Sequence, residues 1–383
     1  MSARRLLLAG GGHSHLEVLR RFAALKDPSI AITLVSARPA TIYSGMLPGV
    51  IAGHYALTEA EVALAPLAAA AGARWIEGRV VALDLAARTA RLASGESIAF
   101  DVLSLNLGST PDASIPGAGE HAVAARPFEH LVAAWTEILQ EATRDGTRTL
   151  AVVGGGAGGV ELVLAMHHRL QGLGARGLQC SLVTEGASLL PGHAQGVGAR
   201  LARILAQRGI AVHLQSRVRA IEHGALRLES GRDIAAWRIF LATSAAAAAW
   251  WRQGGLGCDE RGFISVDAQL RSTTHPFVFA AGDCASQQGA RHPKSGLHAV
   301  RQGPVLAANL ARCMAGAPLK RFVPPARWLA LIGTGDERAV VSYGPVSAEG
   351  AWAWRWKQSI DRRHVAKYRA GQAARGVRRD ARG

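Results

Sequence analysis

The sequence predicts an α/β fold: two Rossmann-like dinucleotide-binding units with a small C-terminal α+β segment. Three observations predict it. Near the N-terminus a short apolar run ends in a glycine turn that opens a helical pattern. The same strand–turn–helix arrangement returns about 144 residues later, and a late apolar run ends in Gly282-Asp283. A repeat of that length is a duplicated domain, because solenoid repeats recur every few tens of residues.

The elements follow in order. Arg4 to Ala9 reads as a strand, Gly10-Gly11-Gly12 as a tight turn, and Leu16, Leu19 and Phe22 as the apolar face of a helix. Ile30 to Val35 is the next strand, which completes the opening of a parallel βαβ unit. Short strands are expected over Arg74 to Leu83, Thr89 to Leu92 and Val102 to Leu105. The pattern restarts with Leu150 to Val153, the turn Gly154 to Gly159, a helix through Val160, Leu162, Val163 and Met166, and the strand Cys180 to Val183. Further strands are expected at Ala211 to Leu214, Leu226 to Leu228, Ile239 to Leu241 and Pro276 to Ala281, with a long helix from Gly296 to Met314. Pro318, Pro324 and Pro325 mark the boundary to a tryptophan-rich end. The expected domains are therefore 1–118 with 258–322, then 119–257, a C-terminal segment 323–370 and a basic tail 371–383.

Composition bounds the function. At 383 residues, 49% hydrophobic and 19% charged, the chain is too apolar for disorder and long enough for two or three domains. The formal charge of +16 rests almost wholly on arginine, since only five lysines occur, and a codon-bias origin accounts for much of it. From Arg355 to the end there are ten basic and two acidic residues, a pattern that suits either an anionic surface or a solvated terminus. Charge without a motif does not make a nucleic-acid binder, and no nucleic-acid partner is expected. Cys180, Cys258, Cys284 and Cys313 form no CxxC or metal spacing, so reduced thiols in a cytoplasmic protein are expected. No apolar run reaches membrane-spanning length.

Gly154-x-Gly156-x-x-Gly159 has all three positions of a dinucleotide loop: one glycine for the turn, one for close backbone approach to a pyrophosphate, and one for helix–strand packing. The anion then rests on the helix N-terminus. In Gly10-x-Gly12-x-x-His15 a histidine stands at the packing position, so the helix must tilt or stand off. His13 and His15 suit solvent or a cofactor edge better than a metal, since no acidic or thiol ligand lies near them, and no metal site is expected. Gly12-His13-Ser14-His15-Leu16 lacks the last glycine of a nucleophile elbow. An acid at the end of the second strand of each unit would hold an adenosine ribose. The first unit ends in Ser36 without one. The second offers Glu185, which either holds the ribose, repelling a 2′-phosphate and favouring NADH over NADPH, or turns outward as a surface carboxylate.

The two loops together with Phe279-Ala280-Ala281-Gly282-Asp283 resemble the two-dinucleotide flavoproteins of the pyridine nucleotide-disulfide oxidoreductase fold. Asp101 to Pro111 resembles their D-Y-L-V-L-A-T-G-S-x-P segment, with Asn106 and Leu107 in place of Ala-Thr, and Leu241 to Ser244 is its second-unit counterpart. Tyr43-Ser44-Gly45-Met46-Leu47-Pro48 resembles the isoalloxazine-lining segment of type II NADH dehydrogenases and sulfide:quinone reductases. With Pro293 to Gly296 and the final tryptophans, the likeness extends to oxidoreductases fused to selenophosphate synthetase, although no kinase portion follows here.

The resemblance implies FAD at the first loop, NAD(P)H as hydride donor at the second, and Gly282 and Asp283 at the FAD ribityl and pyrophosphate. It also assigns Ser14, Ser36, Arg38, Val80 and Gly108 to the FAD site and Thr243 to the second site. Lys294 is placed at the flavin pyrimidine edge. Glu161 either faces the nicotinamide or simply complements the helix dipole. Two departures stand out: the redox CxxxxC of disulfide reductases is absent, and Leu297 and Arg301 occupy the glutamine places of the A-Q-x-x-x-Q quinone signature. The expected activity is an FAD-dependent NAD(P)H oxidoreductase with a small-molecule acceptor, either a quinone or a sulfur or selenium species. The alternative is a flavin-binding regulatory protein with little turnover. Trp352, Trp354 and Trp356 with neighbouring arginines offer a peripheral contact at the inner face of a membrane, but their alternation reads as a strand buried against the first unit.

Overall fold

The computed structural model describes residues 3–110, 114–141, 148–175, 177–194, 196–243, 246–290 and 294–376, with side chains to residue 369. The first sheet is built from β1 (Arg4–Ala9), β2 (Ile30–Ser36), β3 (Arg74–Glu77) and β4 (Val102–Leu105). Its fifth strand, β10 (Val278–Ala280), arrives from the far side of the second unit, so the order is β10-β4-β1-β2-β3. All neighbours are parallel. Strands covered on both faces need continuous apolar runs, and Leu6, Leu7 and Leu8 are buried in succession.

The second sheet repeats the plan with β5 (Val123–Ala124), β6 (Arg148–Val153), β7 (Leu178–Val183), β8 (Ala211–His213) and β9 (Arg238–Leu241), in the order β5-β9-β6-β7-β8. Each unit also carries an antiparallel three-stranded meander, at 80–99 in the first and 218–235 in the second. The duplication thus extends well beyond the glycine loops. The strand expected over Arg74 to Leu83 divides at Gly78, because its first half pairs with β2 while its second half opens the meander.

Six helices matter for the site: α1 (His13–Leu25), α2 (Phe128–Glu141), α3 (Ala157–Gly172), α4 (Val197–Gln207), α5 (Gly296–Met314) and α6 (Ala351–Gly376). α5 lies along α1, and the approach is close at Gly303, where a Cβ would sit 2.8 Å from that of Glu17. The C-terminal segment is an antiparallel sheet of β11 (Leu329–Gly333), β12 (Ala339–Tyr343) and β13 (Val346–Gly350), followed by α6.

The tryptophans therefore do not form a strand. They occupy the first turns of α6, where Trp354 is 4% exposed while Trp352 and Trp356, one turn apart, stack at 6.3 Å with 48% and 42% exposed. The helical period shows in the residues they flank: Ala353, Trp354, Lys357, Asp361, Val365 and Tyr368 are all buried. Three alternating residues were too few to set a period. The side chains of the expected basic tail, 371–383, lie outside the described residues. Among the described residues no helix is long and apolar enough to cross a membrane.

Candidate dinucleotide sites

The C-terminal ends of β1, β4 and β10 meet at one edge of the first sheet. Gly10 has φ +98°, and a Cβ there would overlap the Asn106 carbonyl oxygen. His15 was expected at solvent or a cofactor edge, yet it is wholly buried. Its Nδ1 lies 2.6 Å from the Gly10 carbonyl and its Nε2 lies 2.8 Å from Ser104 Oγ. A carbonyl can only accept, so Nδ1 carries the proton and Nε2 accepts from the hydroxyl. Burial holds this neutral imidazole at a pKa of about 4. Asn106, also buried, accepts from the amides of Ser14 at 3.0 Å and His15 at 3.4 Å, and donates to the Ala281 carbonyl at 2.6 Å. Ser14 donates its hydroxyl to Ala299 of α5 at 2.7 Å.

Asp283 follows β10 and is ion-paired with Arg126, which also donates to Ser109 Oγ at 3.2 Å. His13 stands between this pair and the 43–48 loop, and burial pushes its pKa down to about 4. Within the loop Met46 and Leu47 turn into the core, while Tyr43, Ser44, Gly45 and Pro48 keep some exposure. Ser44 Oγ comes within 3.5 Å of His13 Nε2. Ser36 and Val80 are buried, Arg38 reaches His130 at 3.2 Å, and a Cβ at Gly108 would meet only open space. Lys294 donates to the Ala285 carbonyl with its ammonium 3.9 Å from the Phe263 ring centre, and burial lowers its pKa.

α6 closes over this loop with residues that the sequence reading did not single out. Lys357 donates to the Gly45 carbonyl and pairs with Asp361 at 2.7 Å, both being buried. His364 stacks on Tyr43 with ring centres 4.2 Å apart. Burial, and then Asp361, push the Tyr43 phenol above its ordinary range. A signal was present: Lys357, Asp361, His364 and Tyr368 recur at four-three-four spacing, one face of a helix. Arg126 gave no comparable signal, because its partner lies far off in sequence.

At the second loop Gly154 has φ +134°, and a Cβ there would overlap the Ala242 carbonyl oxygen. A Cβ at Gly159 would overlap the carbonyl of Gly154 itself, whereas one at Gly156 would meet nothing. Thr184 stands behind Gly155 as Ser36 stands behind Gly11, and Thr243 follows β9 with partial exposure. Glu185 points outward, 72% exposed, with Arg217 at 3.5 Å. Glu161, in the first turns of α3, accepts from the Gly333 amide at 2.7 Å. Burial pushes its pKa up to about 7, against the opposing pull of Lys357 and of the Gly333 hydrogen bond.

Both cradles fit a dinucleotide: backbone closely apposed where a side chain would clash, helix N-termini directed at the gap, and few carboxylates at the first loop apart from the already paired Asp283. Among the described residues no group of three or more His, Cys, Asp and Glu could hold a metal ion. The four cysteines are free.

Comparison with known proteins agrees with this geometry. The family model described as pyridine nucleotide-disulphide oxidoreductase matches residues 4–303. The chain is 28% identical to the type II NADH:quinone oxidoreductase of Haemophilus influenzae over 198 residues, 49% of this chain and 45% of that protein. It is 26% identical to the demethylphylloquinone reductase NdbB of a Synechocystis strain over 360 residues, 88% and 86% of the two chains. Its fold matches that of the sulfide:quinone oxidoreductase from Aquifex aeolicus with a TM-score of 0.83, at 19% identity, over 96% and 92% of the chains. The chain belongs to the pyridine nucleotide-disulphide oxidoreductase family of FAD- and NAD(P)-dependent oxidoreductases.

Proposed function

We propose that this chain oxidises NAD(P)H with FAD bound at the first loop and hands the electrons to a quinone. The flavin would supply the hydride and electron chemistry; the protein aligns and insulates. The amides at Gly12 and His13, with Arg126, would hold the FAD pyrophosphate, while Asp283 would hold the ribityl region and Ser36, Arg38 and Val80 the adenosine end. The Tyr43–Pro48 loop, pinned by Lys357 through Gly45, would support the ring, and Lys294 would add positive charge at its edge. The observation that carries the reading is the second cradle: a complete three-glycine turn whose helix also presents Glu161, a half-buried carboxyl poised near neutrality.

Above pH 7 the Glu161 carboxylate would stabilise positive charge developing on a nicotinamide as it gives up hydride. Glu185 faces outward beside Arg217, so it supports neither NADH nor NADPH over the other. The names of the Haemophilus and Synechocystis relatives support a quinone, and a sulfur or selenium acceptor is the runner-up. The four free cysteines accord with electron transfer that uses no protein disulfide. Exposed Trp352 and Trp356 beside Arg355 support peripheral contact with an anionic membrane; co-sedimentation with anionic vesicles should fall on Trp352→Ser/Trp356→Ser, and absence of vesicle binding would refute the contact. Single-turnover reoxidation of the reduced protein by quinones and by sulfur or selenium species tests the acceptor. Fast reoxidation by a quinone alone is expected, and selective reoxidation by the chalcogen species would replace the quinone reading.

A further inference from the structure

The duplicated fold supplies its own control for the irregular first loop. His15 and Gly159 occupy the same place in the repeat, as do Asn106 and Ala242, whose carbonyls back Gly10 and Gly154 in turn. The second unit uses the small pair: Gly159 lets α3 press on the turn, and Ala242 fills the little space that remains. The first unit uses the large pair. In the first unit the imidazole at position 15 is buried between the Gly10 carbonyl and Ser104 of β4, and the Asn106 carboxamide lies against Gly12, bonding to both Ser14 and His15 amides and across to Ala281.

We infer that His15 and Asn106 are a compensating pair of positioning residues that set the height of α1 above the sheet and thereby shape the first dinucleotide site. His15 has its two nitrogens on Gly10 and Ser104, which fixes the turn to β4. Asn106 ties three segments of the cradle: the start of α1, the end of β4 and the backbone just before Gly282-Asp283. Its oxygen also takes two first-turn amides that an anion could otherwise use, which Ala242 cannot do for α3. The anion is thus shifted toward Gly12 and His13 and toward Arg126.

The inference rests on the reading of the first loop as the FAD site, and its test separates the two. FAD dissociation constants and thermal midpoints are measured for the wild type, His15→Gly, Asn106→Ala and the double variant. Each single change should weaken FAD at least tenfold, and the double should return to within about threefold of wild type, with midpoints following the same order. Losses that simply multiply, or singles without effect, would overturn the pairing. Should the singles not fold, the reciprocal graft decides: Gly159→His should abolish NADH binding, and adding Ala242→Asn should restore part of it. No recovery in the graft would equally overturn the pairing. A wild-type chain that binds no FAD would instead refute the cofactor assignment, and the pairing would then be judged by non-additivity of the midpoints.

Discussion

Glu17 and Glu161 occupy the same position in the two halves of the molecule, and the fold uses them in opposite ways. Glu17 on α1 is ringed by Arg20 at 2.8 Å, Arg21 at 2.7 Å and Lys367 of α6 at 2.7 Å, and it accepts from the Tyr368 hydroxyl at 3.3 Å. Burial alone would raise its pKa, but these partners win and hold it at about 2. Glu161 on α3 has one amide and a more distant ammonium, and there burial wins. One glutamate is a fastener for the C-terminal helix; the other is a titrating group beside the second cradle. Equivalent backbone positions thus acquire structural or chemical duty according to how many cations the rest of the chain brings to them.

Four measurements bear on this contrast. The largest concerns packing: Gly159→Ala drives a Cβ into the Gly154 carbonyl and should cost about 2–4 kcal/mol of stability, with at least tenfold weaker NADH binding and FAD content retained. Chemical denaturation and NADH titration read both effects, and a neutral result would show that the close approach is dispensable. Next, Glu17→Gln leaves three cations without their carboxylate and should cost about 1–3 kcal/mol. The sign with pH follows from the lowered pKa: the wild-type advantage is complete above the unfolded value of 4.5 and fades as the folded pKa near 2 is approached. A pH-independent difference would deny the charge account.

Glu161 should act the other way. Its carboxyl is neutral below about pH 7, so the rate of flavin reduction by NADH should rise through that pH by roughly tenfold, and Glu161→Gln should stay flat at the low-pH level. An unchanged inflection in the variant, read by stopped-flow absorbance, would move the titration to another group. The smallest effect belongs to the exposed Trp352 and Trp356: replacing both by Ser should alter unfolding stability by less than about 0.5 kcal/mol, since neither fills the core. A larger loss would mean that their stacking supports α6.

Much of this fold was legible because parallel strands buried on both faces announce themselves as apolar runs, and glycine turns mark where they end. The long helix Gly296–Met314 was read at its observed limits, helped by the prolines beyond it. What stayed hidden depended on partners distant in sequence. His15, at the packing position, was expected to tilt the helix and to meet solvent or a cofactor edge, because the sequence does not show that Gly10 and Ser104 will satisfy both nitrogens. Arg126 takes its place from Asp283 and Ser109, neither of them near it in sequence. The Trp352–Trp356 alternation misled because it samples barely one helical turn, whereas the Lys357, Asp361 and Tyr368 spacing spans three.

In the proposed function, two cradles on one chain bring a flavin and a nicotinamide together. Anaerobic addition of NADH to the flavin-loaded protein tests it most directly. The visible flavin absorbance should bleach at one equivalent of NADH, whereas a protein that stays yellow with excess NADH, or binds no flavin at all, would contradict the account.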